Sequence, residues 1–150
     1  MNRILSLILF IALVLGTGLA IGGLTVTGGW YDSLAKPSFS PPSWVFGPAW
    51  TVIYVLIAIA GWRTWERDRT GWPMKIWGVQ MALNFLWTPV YFGAHQIGGA
   101  LVVILALLAA ILAFIAATWR PDRVSAWLFT PYVAWVAFAT ALNASIWALN

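Results

Sequence analysis

The chain has 150 residues, of which 62% are apolar and only 8% are charged. A soluble domain usually carries about 25% charged residues, so this composition excludes an ordinary water-facing surface and makes lipid the main solvent. The net charge of +4 comes from basic residues scattered between apolar runs, so we expect no nucleic-acid partner. Cysteine is absent, which excludes disulfides and thiolate chemistry.

Five apolar runs follow one another, each close to the roughly 20 residues with which a helix crosses a bilayer. They cover Ile4–Val26, Trp44–Trp62, Met74–Ala94, Ile97–Thr118 and Ser125–Leu149. The continuous run Leu101–Ala117 lacks the alternation of barrel strands. Pro89 and Pro131 fall inside two runs, where each should kink its helix. The sequence predicts one all-α membrane domain over residues 1–150, a bundle of five transmembrane helices with a long, structured first loop.

The first run also has features of a secretory signal peptide, because Arg3 precedes an apolar stretch that ends in small residues. It exceeds the usual core of roughly 7–15 apolar residues and offers no clean cleavage site. We therefore expect it to be a retained helix.

The basic residues are distributed unequally between the predicted loops. The first and third loops and the carboxyl end hold only Lys36, whereas the amino end and the other two loops hold seven basic residues. These seven are Arg3, Arg63, Arg67, Arg69, Lys75, Arg120 and Arg123. Cytoplasmic loops are enriched in Lys and Arg, so the amino terminus is predicted in the cytoplasm. Apolar helices further predict a bacterial inner membrane.

The first loop, residues 27–43, differs from a simple linker in its aromatic and proline content. It carries Trp30, Tyr31 and Phe39, together with three prolines. Prolines reduce the conformational freedom that is lost on ordering, so the loop can form a folded lid over the bundle. The alternative is an aromatic belt at the membrane interface, which also uses Trp and Tyr.

Helical spacing groups aromatic and amide side chains on three of the predicted helices. The groups are Trp50 with Tyr54, then Gln80 with Asn84 and Trp87, and finally Trp135 with Ala139, Leu142 and Asn143. Uncompensated amides are costly in hydrocarbon, so the amides should face the protein interior. Aromatic faces with a few amides suit a flat, mostly apolar ligand. The alternative, which spacing alone favours, is that the amides only join neighbouring helices.

Small residues recur at four-residue spacing on the first and fourth predicted helices. Gly18 and Gly22 form one pair, and Ala109, Ala113 and Ala117 form a longer stripe. Such stripes let helices approach closely, either within one chain or between two copies. We expect a homodimer, although the sequence does not identify its interface.

Residues for acid–base or metal chemistry are few. The four acidic residues, Asp32, Glu66, Asp68 and Asp122, all lie in predicted loops, and Asp122 is expected to cap the last helix. The absence of a charge at mid-membrane depth disfavours an ion-coupled carrier. His95, the only histidine, is expected at the interface rather than on haem iron. The sequence thus predicts no metal site, no catalytic residue and no obligatory cofactor.

Three segments together resemble one known family. They are WYDSLAKPSFSPPSWVFGPAWTVIY (Trp30–Tyr54), ALNFLWTPVYFGAHQ (Ala82–Gln96) and PYVAWVAFATALNASIW (Pro131–Trp147). Their order and content resemble the TspO/MBR family, the tryptophan-rich sensory proteins related to the mitochondrial translocator protein. The likeness spans nearly the whole chain.

The resemblance implies a five-helix bundle, usually dimeric, with a pocket that the first loop closes. It implies binding of protoporphyrin IX or haem, and in some members of sterols or other lipids. Sensory, regulatory and transport roles follow from it, as does a proposed light- and oxygen-dependent porphyrin breakdown in which Trp50 and Trp135 would be radical partners. The pocket residues implied by the motifs are Trp30, Trp50, Tyr54, Asn84, Trp87, Trp135, Ala139 and Leu142.

Two departures from the family pattern affect these expectations. The sterol motif of animal members ends in Tyr and Arg, whereas here Asn143 is followed by Ala144, and Ala148 stands where the Arg would fall. Such motifs are weak indicators even when they are complete. In the first loop, Phe39 stands where many members carry Trp, so an indole hydrogen bond is lost there.

Overall fold

A computed structural model describes residues 2–24 and 28–150, and all regular structure within those ranges is helical. Seven α-helices occur there: α1 (Arg3–Leu24), α2 (Gly28–Ser33), α3 (Phe46–Arg67), α4 (Trp72–Thr88), α5 (Ile97–Thr118), α6 (Arg123–Leu128) and α7 (Thr130–Leu149). A 3-10 turn at Ser43–Val45 precedes α3, and a π-helical turn at Pro89–Gly93 continues α4. The predicted end of the first run at Val26 and the start of the first loop at Thr27 lie outside the described residues.

Four helical stretches in the described part of the chain are long and apolar enough to cross a bilayer. They are Arg3–Gly22, Phe46–Arg67, Ile97–Thr118 and Arg123–Leu149. The helix α4 has 17 residues, which at 1.5 Å per residue gives about 26 Å, shorter than the roughly 30 Å hydrocarbon core. The prediction of an all-helical membrane protein is confirmed. The prediction of five helices is wrong in number, because the short helices α2 and α6 also form.

Pro89 and Pro131 both lie where the regular α-helical hydrogen-bond pattern is interrupted. Pro89 begins the π-helical turn, in which the Ala94 amide donates to the Pro89 carbonyl at 2.8 Å. Pro131 lies in the first turn of α7, after a break at Phe129 that separates α6 from α7. A proline has no amide hydrogen and clashes with the preceding turn, so a regular helix cannot continue through it. The single run predicted from Ser125 is therefore two helices.

The helix α3 continues to Arg67, five residues beyond the predicted end at Trp62. Its last turns are polar, but their side chains find partners on neighbouring elements. Glu66 accepts a hydrogen bond from Ser6 of α1 at 2.7 Å, and Arg63 pairs with Asp122 at 2.9 Å. The apolar run ends at Trp62 because Arg63 is charged, but a helical backbone can continue through charged residues. The predicted end of α3 is therefore too early.

Asp122 directly precedes α6, but its side chain does not cap that helix. The carboxylate instead accepts hydrogen bonds from the Arg63 guanidinium and the Ser125 hydroxyl. The prediction of a side-chain cap is therefore wrong. Burial alone would raise the pKa of Asp122, but the hydrogen bonds from Arg63 and Ser125 and the charge of Arg63 hold that pKa below its ordinary value.

The helices pack mainly as the pairs α1 with α3, α4 with α5, and α5 with α7. A chain of hydrogen bonds crosses the centre of the bundle. The Tyr54 hydroxyl donates to Asn84 Oδ1 at 3.3 Å, Asn84 Nδ2 donates to the Tyr132 hydroxyl at 2.7 Å, and Tyr132 donates to Gln80 Oε1 at 2.8 Å. Gln80, Asn84 and Asn143 are all buried, which confirms that the amides face the interior.

Candidate functional site: an aromatic cavity beneath the first loop

A cavity of about 510 Å³ lies between α1, α3, α4 and α7, next to the short helix α2. Its lining consists of Gly18, Leu19, Gly22, Tyr31, Asp32, Phe46, Gly47, Trp50, Tyr54, Trp87, Thr88, Tyr91, Phe92, Trp135, Ala139, Leu142 and Asn143. Small-molecule sites in proteins typically measure about 300–1,000 Å³ and are lined mostly by apolar and aromatic groups. Its size and composition therefore suit a ligand.

Six of the eight residues predicted for a pocket line this cavity: Trp50, Tyr54, Trp87, Trp135, Ala139 and Leu142. The spacing on α3 and α7 places Trp50 with Tyr54, and Trp135 with Ala139 and Leu142, on faces that meet in one chamber, to which α4 adds Trp87. Trp30 and Asn84 do not line it. Asn84 lies behind Tyr54, and its amide is engaged by Tyr54 and Tyr132.

The aromatic side chains of the lining contact one another in two groups. In one group the rings of Trp50 and Tyr54 stack at 5.4 Å with an angle of 28° between their planes, and Trp135 meets Trp50 edge-on at 6.2 Å and 90°. In the other group Trp87 contacts Tyr91, with ring centroids 5.1 Å apart. Aromatic pairs prefer such offset and edge-to-face arrangements, so the rings within each group stabilise one another.

The described part of the first loop packs against the bundle. The indole of Trp30 stacks on the imidazole of His95 with centroids 4.0 Å apart and planes within 3°. Tyr31 is buried and lines the cavity. The backbone of Ala35 exchanges two hydrogen bonds with the side-chain amide of Asn150, at 2.9 and 3.2 Å. These contacts are those of a folded lid, whereas a simple interfacial belt would leave the loop unattached.

His95 adopts a left-handed backbone conformation, with φ at 58°. This region is sparsely populated for residues other than glycine. It follows the π-helical turn at Pro89–Gly93, so the chain reverses direction there before α5 begins. His95 was expected at the membrane interface, and no sequence pattern predicts that its ring supports Trp30.

Two polar atoms at the cavity are buried without a hydrogen-bond partner among the described residues, the Tyr31 hydroxyl and the Trp135 indole N–H. Burial and the charge of Asp32 raise the pKa of Tyr31 by more than the nearby Ser40 side chain lowers it. Trp87 differs, because its indole N–H donates to Asn143 Oδ1 at 3.1 Å. Tyr31 and Trp135 both line the cavity.

Several lining residues were not predicted, and some had a usable signal. Phe46 precedes Trp50 by four residues and Tyr91 follows Trp87 by four, so both extend a spacing already present in the sequence. Gly18 was assigned to helix packing, and a Cβ at that position would overlap the ring of Tyr54 within the same chain. The contributions of Tyr31, Asp32 and Phe92 depend on the loop conformation and carry no periodic signal.

Ionisable groups are few at the cavity. Asp32 is the one carboxylate among the described residues that line it. Within residues 2–24 and 28–150, no group of three or more His, Asp or Glu side chains is placed to hold a metal ion.

Comparison with known proteins agrees with this architecture. The model of the TspO/MBR family matches residues 10–148 of the chain. The chain belongs to the TspO/MBR family. The resemblance noted in the three motifs is thereby confirmed.

Relatives from bacteria and animals align over most of their length. The chain is 41% identical to Protein CrtK of Rhodobacter capsulatus over 135 residues, which is 87% of this chain and 84% of that protein. It is 36% identical to a tryptophan-rich sensory protein of Cereibacter sphaeroides over 100% of this chain and 95% of the relative. The translocator protein of Homo sapiens is 37% identical over 81% of this chain and 75% of its own length.

Proposed function

We propose that this TspO/MBR protein binds a tetrapyrrole, protoporphyrin IX or haem, in the cavity and acts as a membrane-embedded sensory or regulatory protein, with porphyrin transport as a related role. The observation that carries the proposal is the aromatic lining of a chamber of about 510 Å³. A flat macrocycle gains affinity from burial and from stacking against Trp50, Tyr54 and Trp135. A sterol or another lipid is a competing occupant.

The cavity also provides polar groups for the acidic edge of a porphyrin. The unpaired donors of Tyr31 and Trp135 suit carboxylate oxygens. The ammonium group of Lys36 lies 4.6 Å from the centre of the Tyr31 ring, close to the cavity. Asp32 lies on the same side and would repel an anion, so we expect the carboxylates to point towards Lys36.

The test is the affinity of the double variant Trp50→Ala/Trp135→Ala for porphyrin. Binding is measured through the change in the porphyrin's own absorbance and emission. Each ring contributes about 1 kcal/mol of stacking, so losing both should weaken binding by about 30-fold. The matched control is Trp119→Ala/Trp127→Ala, which removes two indoles that contact each other away from the cavity. Equal affinity in the two double variants would reject this site.

A second substitution separates a cavity ligand from a ligand on the outer surface. Ala139 is buried and lines the cavity, so Ala139→Phe fills part of the chamber. We expect porphyrin binding to fall while the protein stays folded. Full binding by a folded Ala139→Phe protein would place the ligand elsewhere.

Light- and oxygen-dependent porphyrin breakdown is the alternative activity. It is favoured by one observation, the contact between the oxidisable rings of Trp50, Tyr54 and Trp135 beside the cavity. The discriminating experiment compares illuminated aerobic samples with dark and anaerobic ones. Many turnovers that require Trp50 and Trp135 would favour evolved catalysis. A few turnovers that persist without them would indicate pigment photochemistry alone.

The proposed membrane arrangement has five spans, with α4 and its π-helical turn as the third. In this arrangement the distribution of basic residues favours a cytoplasmic amino terminus, and the apolar helices favour a bacterial inner membrane. We also propose a homodimer, since Ala109 and Ala113 are exposed on α5 and allow close approach of a second helix. Accessibility of single introduced cysteines at either end tests the orientation, and light scattering in detergent tests the dimer.

A further inference from the structure

The net charge of the molecule lies at one end of the bundle, where α1 begins and α3 and α5 end. Seven of the eight basic residues and three of the four acidic residues lie there, so this end holds the whole formal net charge of +4. At the opposite end Lys36 and Asp32 cancel. The contacts of Ser6 with Glu66 and of Arg63 with Asp122 bring these segments together in space.

Four of the cations at this end rest on indole rings. Arg3 lies 5.7 Å from the centroid of Trp62, Arg69 lies 4.7 Å from Trp65, Lys75 lies 4.9 Å from Trp72, and Arg123 lies 4.9 Å from Trp119. All four cations are exposed, and none is paired with a carboxylate in the described part of the chain. A cation held over a ring keeps its position while its outer side stays free for another partner.

The position of these four cations along the membrane normal indicates which anions they contact. Trp side chains at helix ends lie at the level of the lipid headgroups, so cations stacked on them lie at the level of the phosphates. An anionic headgroup supplies the negative charge that these cations lack within the protein. We propose that the indole-held cations, Arg3, Arg69, Lys75 and Arg123, form a binding surface for the headgroups of anionic phospholipids in one leaflet.

The proposal differs from the general rule that basic loops stay in the cytoplasm. That rule depends on the number of charges near a span, whereas a binding surface depends on where each charge is held. Arg67 and Arg120 provide the comparison, because both are exposed at the same end and neither lies over an indole among the described residues.

The experiment uses the full chain reconstituted in phosphatidylcholine bilayers with a trace of spin-labelled lipid. Paramagnetic resonance gives the immobilised fraction of labelled phosphatidylglycerol and of labelled phosphatidylcholine, and hence the preference for the anionic lipid. Each basic residue near an anionic headgroup strengthens association roughly fivefold, so we expect a preference of about that size or larger. Arg69→Gln/Arg123→Gln should lower the preference at least threefold, whereas Arg67→Gln/Arg120→Gln, with the same charge loss, should retain most of it.

A second pair of variants tests the rings directly. Trp65→Leu/Trp119→Leu keeps every cation and should also lower the preference. An equal loss in both arginine pairs, or no preference in the unaltered protein, overturns the proposal. Removal of the preference by inorganic phosphate, but not by chloride at the same ionic strength, overturns it too, because the surface would then select free phosphate. A thermal unfolding transition equal to that of the unaltered protein establishes that a variant is folded. If an arginine double variant does not fold, Trp65→Leu/Trp119→Leu supplies the test.

Discussion

Replacing Tyr132 by Phe removes one hydroxyl from the centre of the bundle and tests whether the buried amide chain stabilises the fold. The Tyr132 hydroxyl accepts from Asn84 Nδ2 at 2.7 Å and donates to Gln80 Oε1 at 2.8 Å, so an amide donor and an amide acceptor both lose a partner. An unsatisfied buried group costs about 1–3 kcal/mol in soluble proteins, and interhelical hydrogen bonds in membranes average about 0.6 kcal/mol. We expect a net loss of about 1–2 kcal/mol for the two bonds together.

The measurement is reversible unfolding in mixed micelles as the fraction of dodecyl sulfate is raised. The control is Tyr91→Phe, which removes a hydroxyl from another buried tyrosine that takes no part in the hydrogen-bond chain through Asn84. We expect that control to lie within about 0.5 kcal/mol of the unaltered protein. If the two tyrosine variants lose equal stability, the amide chain is not the source of the effect and the reasoning fails.

Three further predictions concern other contacts. Gly61→Ala places a Cβ into the ring of Trp77 and should destabilise the protein by about 1–3 kcal/mol in the same unfolding assay. In the control Gly78→Ala, the added Cβ meets nothing within 4 Å, so stability should be unchanged or raised by up to about 1 kcal/mol. The lowered pKa of Asp122 means that its carboxylate stabilises the fold above its ordinary pKa, and this contribution is lost as the pH falls through the lower, folded-state pKa. The melting temperature should therefore drop below about pH 4 in the unaltered protein and less so in Asp122→Asn. His95→Ala removes the ring on which the lid indole stacks, worth about 0.5–1.5 kcal/mol, so stopped-flow measurements should give porphyrin release about 2- to 10-fold faster; an unchanged rate would mean that the stack does not hold the lid.

Sequence patterns predicted the features that depend on a fixed helical repeat. Trp50 and Tyr54 lie on one face of α3 because side chains four apart on a helix are neighbours, whatever the tertiary structure. Burial of Gln80 was predictable for a different reason, the cost of an unpaired amide in hydrocarbon. These two rules select most of the cavity wall on α3, α4 and α7.

Features that depend on irregular backbone were not predictable in the same way. Trp30 was expected in the pocket, but the left-handed turn at His95 offers its indole a stacking surface outside the lining. Asn84 was expected to contact a ligand, but whether its amide meets Tyr132 or a cavity depends on the rotation of two helices about their axes. The break at Phe129 likewise depends on how the backbone accommodates Pro131 two residues later.

The perpendicular rings of Trp50 and Trp135 have a spectroscopic consequence. Two indoles with centroids 6.2 Å apart are close enough for their intense far-ultraviolet transitions to couple, which produces paired bands of opposite sign in circular dichroism. A change in the angle between those rings alters the bands, even when nothing else in the bundle shifts. The protein thus carries an intrinsic optical gauge of its interior, readable without any attached dye.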